Sequence, residues 1–240
     1  MVVSTFALVH GAHHGAWAWS YLVPALERRG HEVVAVDLPC EDVTAGVSRY
    51  ARIVVDALAG RDDALVVGHS LGGLVVPVVA SIRSLRRMVF IAAVVPEPGR
   101  SLAEQAAADP RMRARGSKID NSDGTQSRPP DEAVRRYYHD CDDAARRYAL
   151  ARLRRQARTP ALEPSPLAVW PAVPATYIIC AHDRAVDPAY QRDAARRLGA
   201  ETIELRSSHS PFLSRPAELA RVLDAVATGQ TAPDPTRVTA

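Results

Sequence analysis

Lysine is nearly missing from this 240-residue chain: Lys118 stands alone among 30 basic residues, and the others are arginines. Schiff-base and other lysine-centred mechanisms therefore have almost no residue to draw on. Cysteine is also scarce, with only Cys40, Cys141 and Cys180. Their odd number and wide spacing speak against a disulfide framework or a zinc site and fit a reducing, cytoplasmic compartment. No apolar run reaches the roughly 18 residues that a bilayer span needs, so no membrane partner is expected. The first ten residues lack the basic stretch of a secretory signal and read instead as a strand. An excess of one charge is lacking too. Thirty basic against 27 acidic residues give +3, too balanced for a dedicated nucleic-acid surface.

What is present is the mixture of a globular protein, 47% apolar and 24% charged. The length suits one domain, expected over residues 1–227, with a tail over 228–240 that lacks periodicity and reads as disordered. Short β-branched runs alternate with longer amphipathic segments. That alternation predicts an α/β fold: a mostly parallel sheet with helices on both faces. The predicted strands are Thr5 to Val9, Glu32 to Val36, Ala64 to Val67, Met88 to Ala92, Thr176 to Cys180 and Glu201 to Leu205. Trp19, Leu22, Val23 and Leu26 recur at helical spacing, with Gly30 as a stop. Val47, Tyr50, Ala51, Val54, Val55 and Leu58 form a second stripe, and Leu71 to Ser81 reads as a buried helix. Pro216 opens a last helix whose core face is Leu219, Val222, Leu223 and Val226.

Residues 101–167 break the alternation. Their first part is polar with Gly116, Gly124 and Pro129-Pro130; the second is arginine-rich and helical. An insertion at this point would cap the strand ends. Its run from Arg135 to Arg158 carries eight arginines against three aspartates, which reads as a solvated helix face more readily than as an anion-binding surface.

The chemistry concentrates at Gly68-His69-Ser70-Leu71-Gly72-Gly73, which follows a strand and opens a helix, the context of a nucleophile elbow. A turn this tight has no room for a β-carbon two residues either side of the serine. Ser70 is the candidate nucleophile. An oxyanion hole needs two backbone N–H groups, and Leu71 and Ala12 are the candidates, the latter from the loop His10-Gly11-Ala12-His13-His14-Gly15-Ala16-Trp17. Three histidines there lack acidic or cysteine neighbours, so no metal is expected and His10 reads as a structural hydrogen-bonding residue. The order Ser, then acid, then His selects Asp183 and His209, each shortly after a late strand. His209 would accept the Ser70 proton and Asp183 would hold the imidazole. Asp187, ahead of Pro188, looks like a helix cap, and Glu97 is a second rival acid.

At these motifs the chain resembles the α/β-hydrolase superfamily, and more narrowly the group of plant methylesterases, hydroxynitrile lyases and their bacterial esterase relatives. The resemblance implies a serine mechanism without cofactor, carried by Ser70, Asp183 and His209 with Ala12 and Leu71 as oxyanion donors. Lyases of that group resemble a pattern with threonine at the position of Gly11 and lysine where this chain has Ser210. Both are missing, so the esterase branch is expected. Plant members tend to have cysteine where His13 stands, so His13 is expected to alter the pocket wall. The expected substrate is a small to medium, largely apolar ester or lactone, cleaved through an acyl-enzyme. Tyr137, Tyr138, Trp170 and Phe212 are candidate pocket walls. Carbon–carbon cleavage, lyase or cyclisation chemistry with the same triad, or small-molecule binding without turnover, are the alternatives. The sequence leaves a homodimer open.

Overall fold

The computed structural model describes residues 3–112 and 116–230. Six strands build the main sheet, beginning with β1 (Thr5–Val9), β2 (Glu32–Val36), β3 (Leu65–His69) and β4 (Arg87–Ile91). Between them lie α1 (Val23–Glu27), α2 (Val47–Ala57) and α3 (Val76–Ile82). An insertion follows β4, with α4 (Leu102–Ala108), β5 (Ile119–Asp120), β6 (Thr125–Ser127), α5 (Pro130–Tyr137), α6 (Asp143–Leu150), β7 (Gln156–Ala157) and α7 (Thr159–Leu162). The chain then returns through β8 (Ala175–Cys180), α8 (Pro188–Arg197), β9 (Glu201–Leu205), α9 (Pro211–Ser214) and α10 (Pro216–Thr228).

The sheet runs β2-β1-β3-β4-β8-β9 and every neighbouring pair is parallel, as the alternation predicts. Period-two alternation sends successive side chains to two separate cores. Ala7, Val9, Val66, Met88, Phe90, Tyr177 and Ile179 pack with α2, α3 and α8. Phe6, Leu8, Leu65, Val67, Val89, Ile91 and Ile178 pack with α1 and α10 on the opposite face. Because both faces are covered, these strands read as unbroken apolar runs.

Strand order reverses between β1 and β3: from β1 the chain goes to one side of the sheet, and from β3 to the other. In an open parallel sheet, the crevice outside the carboxyl ends at such a switch is where a ligand finds room. The loops leaving β1 and β3 here begin with His10 and Ser70.

Beyond shifts of one or two residues in the bounds of β3, β4 and β8, and a first helix that starts only at Val23, the structure departs from the sequence expectations in three larger ways. The helix expected from Leu71 begins as a 3-10 turn over Ser70–Leu74, and the α-helix starts only at Val76. Pro77 lacks the N–H that would continue the α ladder back to Gly73. The insertion contains a small antiparallel sheet, β5-β6-β7, which the sequence reading did not include. Strands of two or three residues are too short to show alternation, and β7 joins from far along the chain. Finally, α10 extends through Thr228, one residue into the expected tail, with Gly229 at φ 70° closing it; residues 231–240 of that expected tail lie outside the described residues. Much of the arginine-rich run behaves as a paired, solvated face, while Arg158 at its end lines a cavity. Arg135 and Arg136 reach Glu132, Arg146 reaches Asp143, and Arg154 reaches Asp37 and Glu41.

Candidate active site

Ser70 follows the last residue of β3 and holds φ 51°, a left-handed backbone that a residue with a β-carbon adopts only under local constraint. The constraint is visible around it. A β-carbon on Gly68 would lie 2.4 Å from the Val76 side chain and 2.7 Å from the Gly72 carbonyl oxygen, and one on Gly72 would lie 2.6 Å from the Val9 carbonyl oxygen. Gly68 lets the turn close against Val76 of α3, and Gly72 lets it sit against β1. The Val94 N–H donates to the Ser70 carbonyl at 3.1 Å and ties the turn to the chain beyond β4.

His209 sits four residues after β9 and is 2% exposed. Its Nδ1 lies 2.7 Å from Asp183 Oδ2, with both side chains buried. Asp183 leaves the end of β8 in a turn that folds back on itself. Its Oδ1 accepts from the N–H groups of Ala185 and Val186 at 2.7 and 3.1 Å, and its Oδ2 also accepts from Gln191 at 2.9 Å. This buried carboxylate is surrounded by donors. Since it only accepts, the His209 Nδ1 must carry the proton, which leaves Nε2 with its lone pair for a reacting group. The two rival acids lie elsewhere. Asp187 caps α8 by accepting from Ala189 N–H, and Glu97 pairs with Arg100 at 2.5 Å on the surface.

Gln191 went unnoticed in the sequence. It also accepts from the Cys180 N–H at 2.9 Å and donates to the Val186 carbonyl, bracing the Asp183 loop against β8. No spacing marks it, because a glutamine in a helix facing a buried loop has the same sequence as one facing water.

The loop after β1 is braced by histidines. His10 accepts from Leu38 N–H at Nε2 and donates from Nδ1 to the Gly11 carbonyl, the structural part expected of it. Tyr138 Oη lies 2.8 Å from His14 Nε2, and His14 Nδ1 lies 2.8 Å from the Ala12 carbonyl oxygen. That carbonyl can only accept, so Nδ1 holds the proton and Nε2 accepts from the Tyr138 hydroxyl. The neutral ring that this network requires agrees with burial, which holds His14 down to about 3. His69 donates from Nε2 to the His209 carbonyl at 2.9 Å, so the elbow and the His209 loop support each other. From the insertion, the Asp140 carboxylate accepts from Ser208 N–H at 2.7 Å, while Ser208 Oγ donates to the Tyr137 carbonyl.

Ala12, Ser70, Leu71 and His209 line one cavity of about 390 Å³ together with His13, Tyr137, Met112 and Val186. All five residues selected from sequence therefore gather at the carboxyl edge of the sheet, with Asp183 directly behind His209. Of the four predicted wall aromatics only Tyr137 lines it. Tyr138 and Phe212 are buried in the core below, and Trp170 packs beside Phe90 on the other side of the sheet. An aromatic in sequence looks alike whether its ring lines a cavity or fills a core. The single lysine does line the cavity. The three thiols do not: all are buried, with Cys40 and Cys141 pushed up to about 12 by burial, which makes them poor nucleophiles. Among the described residues no group of three His, Cys, Asp or Glu side chains could hold a metal ion, and no helix is long and apolar enough to cross a membrane.

A doubly covered parallel sheet with a serine elbow after its third strand defines an α/β-hydrolase architecture. The family model for the Alpha/beta hydrolase family matches residues 6–222, so the chain belongs to that family. Methylesterase 7 of Arabidopsis thaliana is 28% identical over 250 residues, covering 91% of this chain and 94% of that protein. An alpha-hydroxynitrile lyase of the same plant is 33% identical over 104 residues, which span 38% of this chain and only 40% of the lyase. Among solved structures, tomato methylketone synthase I in complex with 2-tridecanone superposes with a TM-score of 0.82 at 22% identity, over 96% of this chain and 100% of that one, a likeness of fold. The resemblance to the methylesterase and hydroxynitrile lyase group thus holds, and esterases stand among the relatives.

Proposed function

We propose that the chain is a carboxylic-ester hydrolase that acts through an acyl-enzyme on Ser70. The observation that carries this reading is the buried His209–Asp183 pair at 2.7 Å, opening onto the same cavity as a serine held at φ 51°. In this reading His209 Nε2 takes the Ser70 proton as Oγ attacks the carbonyl, and Asp183 stabilises the imidazolium that results. The N–H groups of Ala12 and Leu71 receive the developing oxyanion, aided by the helix turn behind Ser70. His209 then protonates the departing alcohol, and water repeats the sequence to release the acid.

Residues 101–167 form the cap in this reading, and residues 1–227 one domain built around the site. Hydrolysis is favoured over lyase chemistry by Gly11. A β-carbon there would lie 2.8 Å from the Ser70 β-carbon, so the threonine of the lyase pattern does not fit this backbone. The substrate is a small-molecule ester or lactone with apolar groups, matched to Leu71, Leu102, Met112 and Val186 in the cavity wall. Three buried, unpaired thiols fit a cytoplasmic location.

Hydrolysis of p-nitrophenyl butyrate by the wild type and by Ser70→Ala tests the reading. Turnover is expected to fall roughly 10⁴-fold in the variant, to the residue that oxyanion donors and binding alone sustain. An unchanged rate would refute Ser70 as nucleophile.

A further inference from the structure

The cavity that holds Ser70 and His209 is walled by three side-chain cations, Lys118, Arg128 and Arg158, and none of its described lining residues is an aspartate or glutamate. Arg128 is the built element of this group. It is 6% exposed, donates from Nε to Tyr137 Oη at 3.0 Å and from Nη1 to the Ser117 carbonyl at 2.9 Å. Its guanidinium carbon lies 5.4 Å from the centre of the Tyr137 ring, and that ring lies 5.4 Å from the ring of His209. Arg128 is thus at most two such steps from the base. Lys118 and Arg158 are exposed, at the solvent side of the same space. The fields of Arg128 and Lys118 add to the burial that lowers His13.

An anion that enters beside these cations gains charge-assisted hydrogen bonds from them. Leu71, Leu102, Ala103, Met112 and Val186 supply an apolar part of the wall, beside the polar His13, Gln126 and Gln156. We propose that this cavity takes an ester bearing a carboxylate at the end remote from the scissile carbonyl, with an apolar chain between the two and the carboxylate held by Arg128, Lys118 and Arg158. The reacting end of this inference rests on the ester-hydrolase reading; the carboxylate site does not, because it can be occupied without turnover.

Two measurements separate them. The first compares kcat/KM for mono-p-nitrophenyl adipate and p-nitrophenyl hexanoate, equal in chain length and differing in the terminal carboxylate. The wild type is expected to favour the anionic ester roughly tenfold or more, as one charge-assisted contact supplies. That ratio should fall toward one in the double variant Lys118→Gln/Arg158→Gln, whose exposed positions spare the fold, and in Arg128→Gln. It should persist in Arg206→Gln, which removes an exposed charge elsewhere. The second measurement is calorimetric binding of adipate against hexanoate, with the same expected preference and the same loss in the variants. A wild type that cleaves both esters with a ratio near one overturns the carboxylate site and leaves the hydrolase reading intact. If neither ester is cleaved, the hydrolase reading falls and the binding preference alone decides: adipate preferred and sensitive to the variants supports the site, and no preference overturns it.

Discussion

The histidines that brace the site make the fold sensitive to acid, and the size of the effect follows from their burial. His10, His13 and His14 are held at about 4, about 4 and about 3 instead of the ordinary 6.5, with burial the leading cause in each. All three are neutral at pH 7 in both the folded and the unfolded chain, so they exact no penalty there. Below 6.5 the unfolded chain takes up protons that the folded one refuses, and stability falls with pH until the folded rings titrate near 4. At pH 5 each ring lags by about 1.5 units, worth about 2 kcal/mol, so the three withdraw about 6 kcal/mol together. Domains hold about 5–15 kcal/mol in all. His69, held well below its usual value by burial, acts in the same direction. Urea unfolding followed by tryptophan fluorescence at pH 7, 6, 5.5 and 5 is expected to show a midpoint that falls steeply, with about four protons taken up on unfolding at pH 5, one for each of these rings. His13→Asn, at φ 66° where asparagine is tolerated, should remove about one of them. A stability that changes by less than about 1 kcal/mol between pH 7 and pH 5 would refute the reasoning, since rings that stay neutral only through burial cannot avoid this linkage.

Three further outcomes are expected. Asp183→Asn should cut turnover by up to about 10⁴-fold with little loss of fold, while Glu97→Gln stays near wild type and Asp187→Asn loses at most about 1 kcal/mol of stability; a full loss in Glu97→Gln with Asp183→Asn active would reassign the acid. Tyr138→Phe strips His14 Nε2 of its donor, so urea unfolding should show a loss of about 1–3 kcal/mol, and ester turnover should drop as the Ala12 loop loosens; neither change would mean that the brace is idle. His209→Ala should cut turnover by about 10⁴-fold or more, and a rate near wild type in the folded variant would exclude it as the base.

The sequence by itself determined the sheet and the positions of the chemical groups, because both are written in local pattern. Strand runs bounded by turns placed β1, β2 and β9 with the bounds the structure gives, and the alternation with helices implied a parallel sheet. Gly68 and Gly72 around Ser70 marked a turn that only a missing β-carbon allows, and the order Ser70, Asp183, His209 followed from each lying just after a strand. Tertiary structure decided what depends on distant partners. It set Asp183 against His209 and sent Glu97 to Arg100, a choice made by where loops from β8, β9 and β4 meet and not by residue type. It also assembled Gln191 behind Asp183, Tyr138 behind His14, and Arg128 beside Lys118 and Arg158. Such groups lie tens of residues apart and obey no period, so only the folded chain reveals whether a polar side chain braces a loop, lines a cavity or faces water.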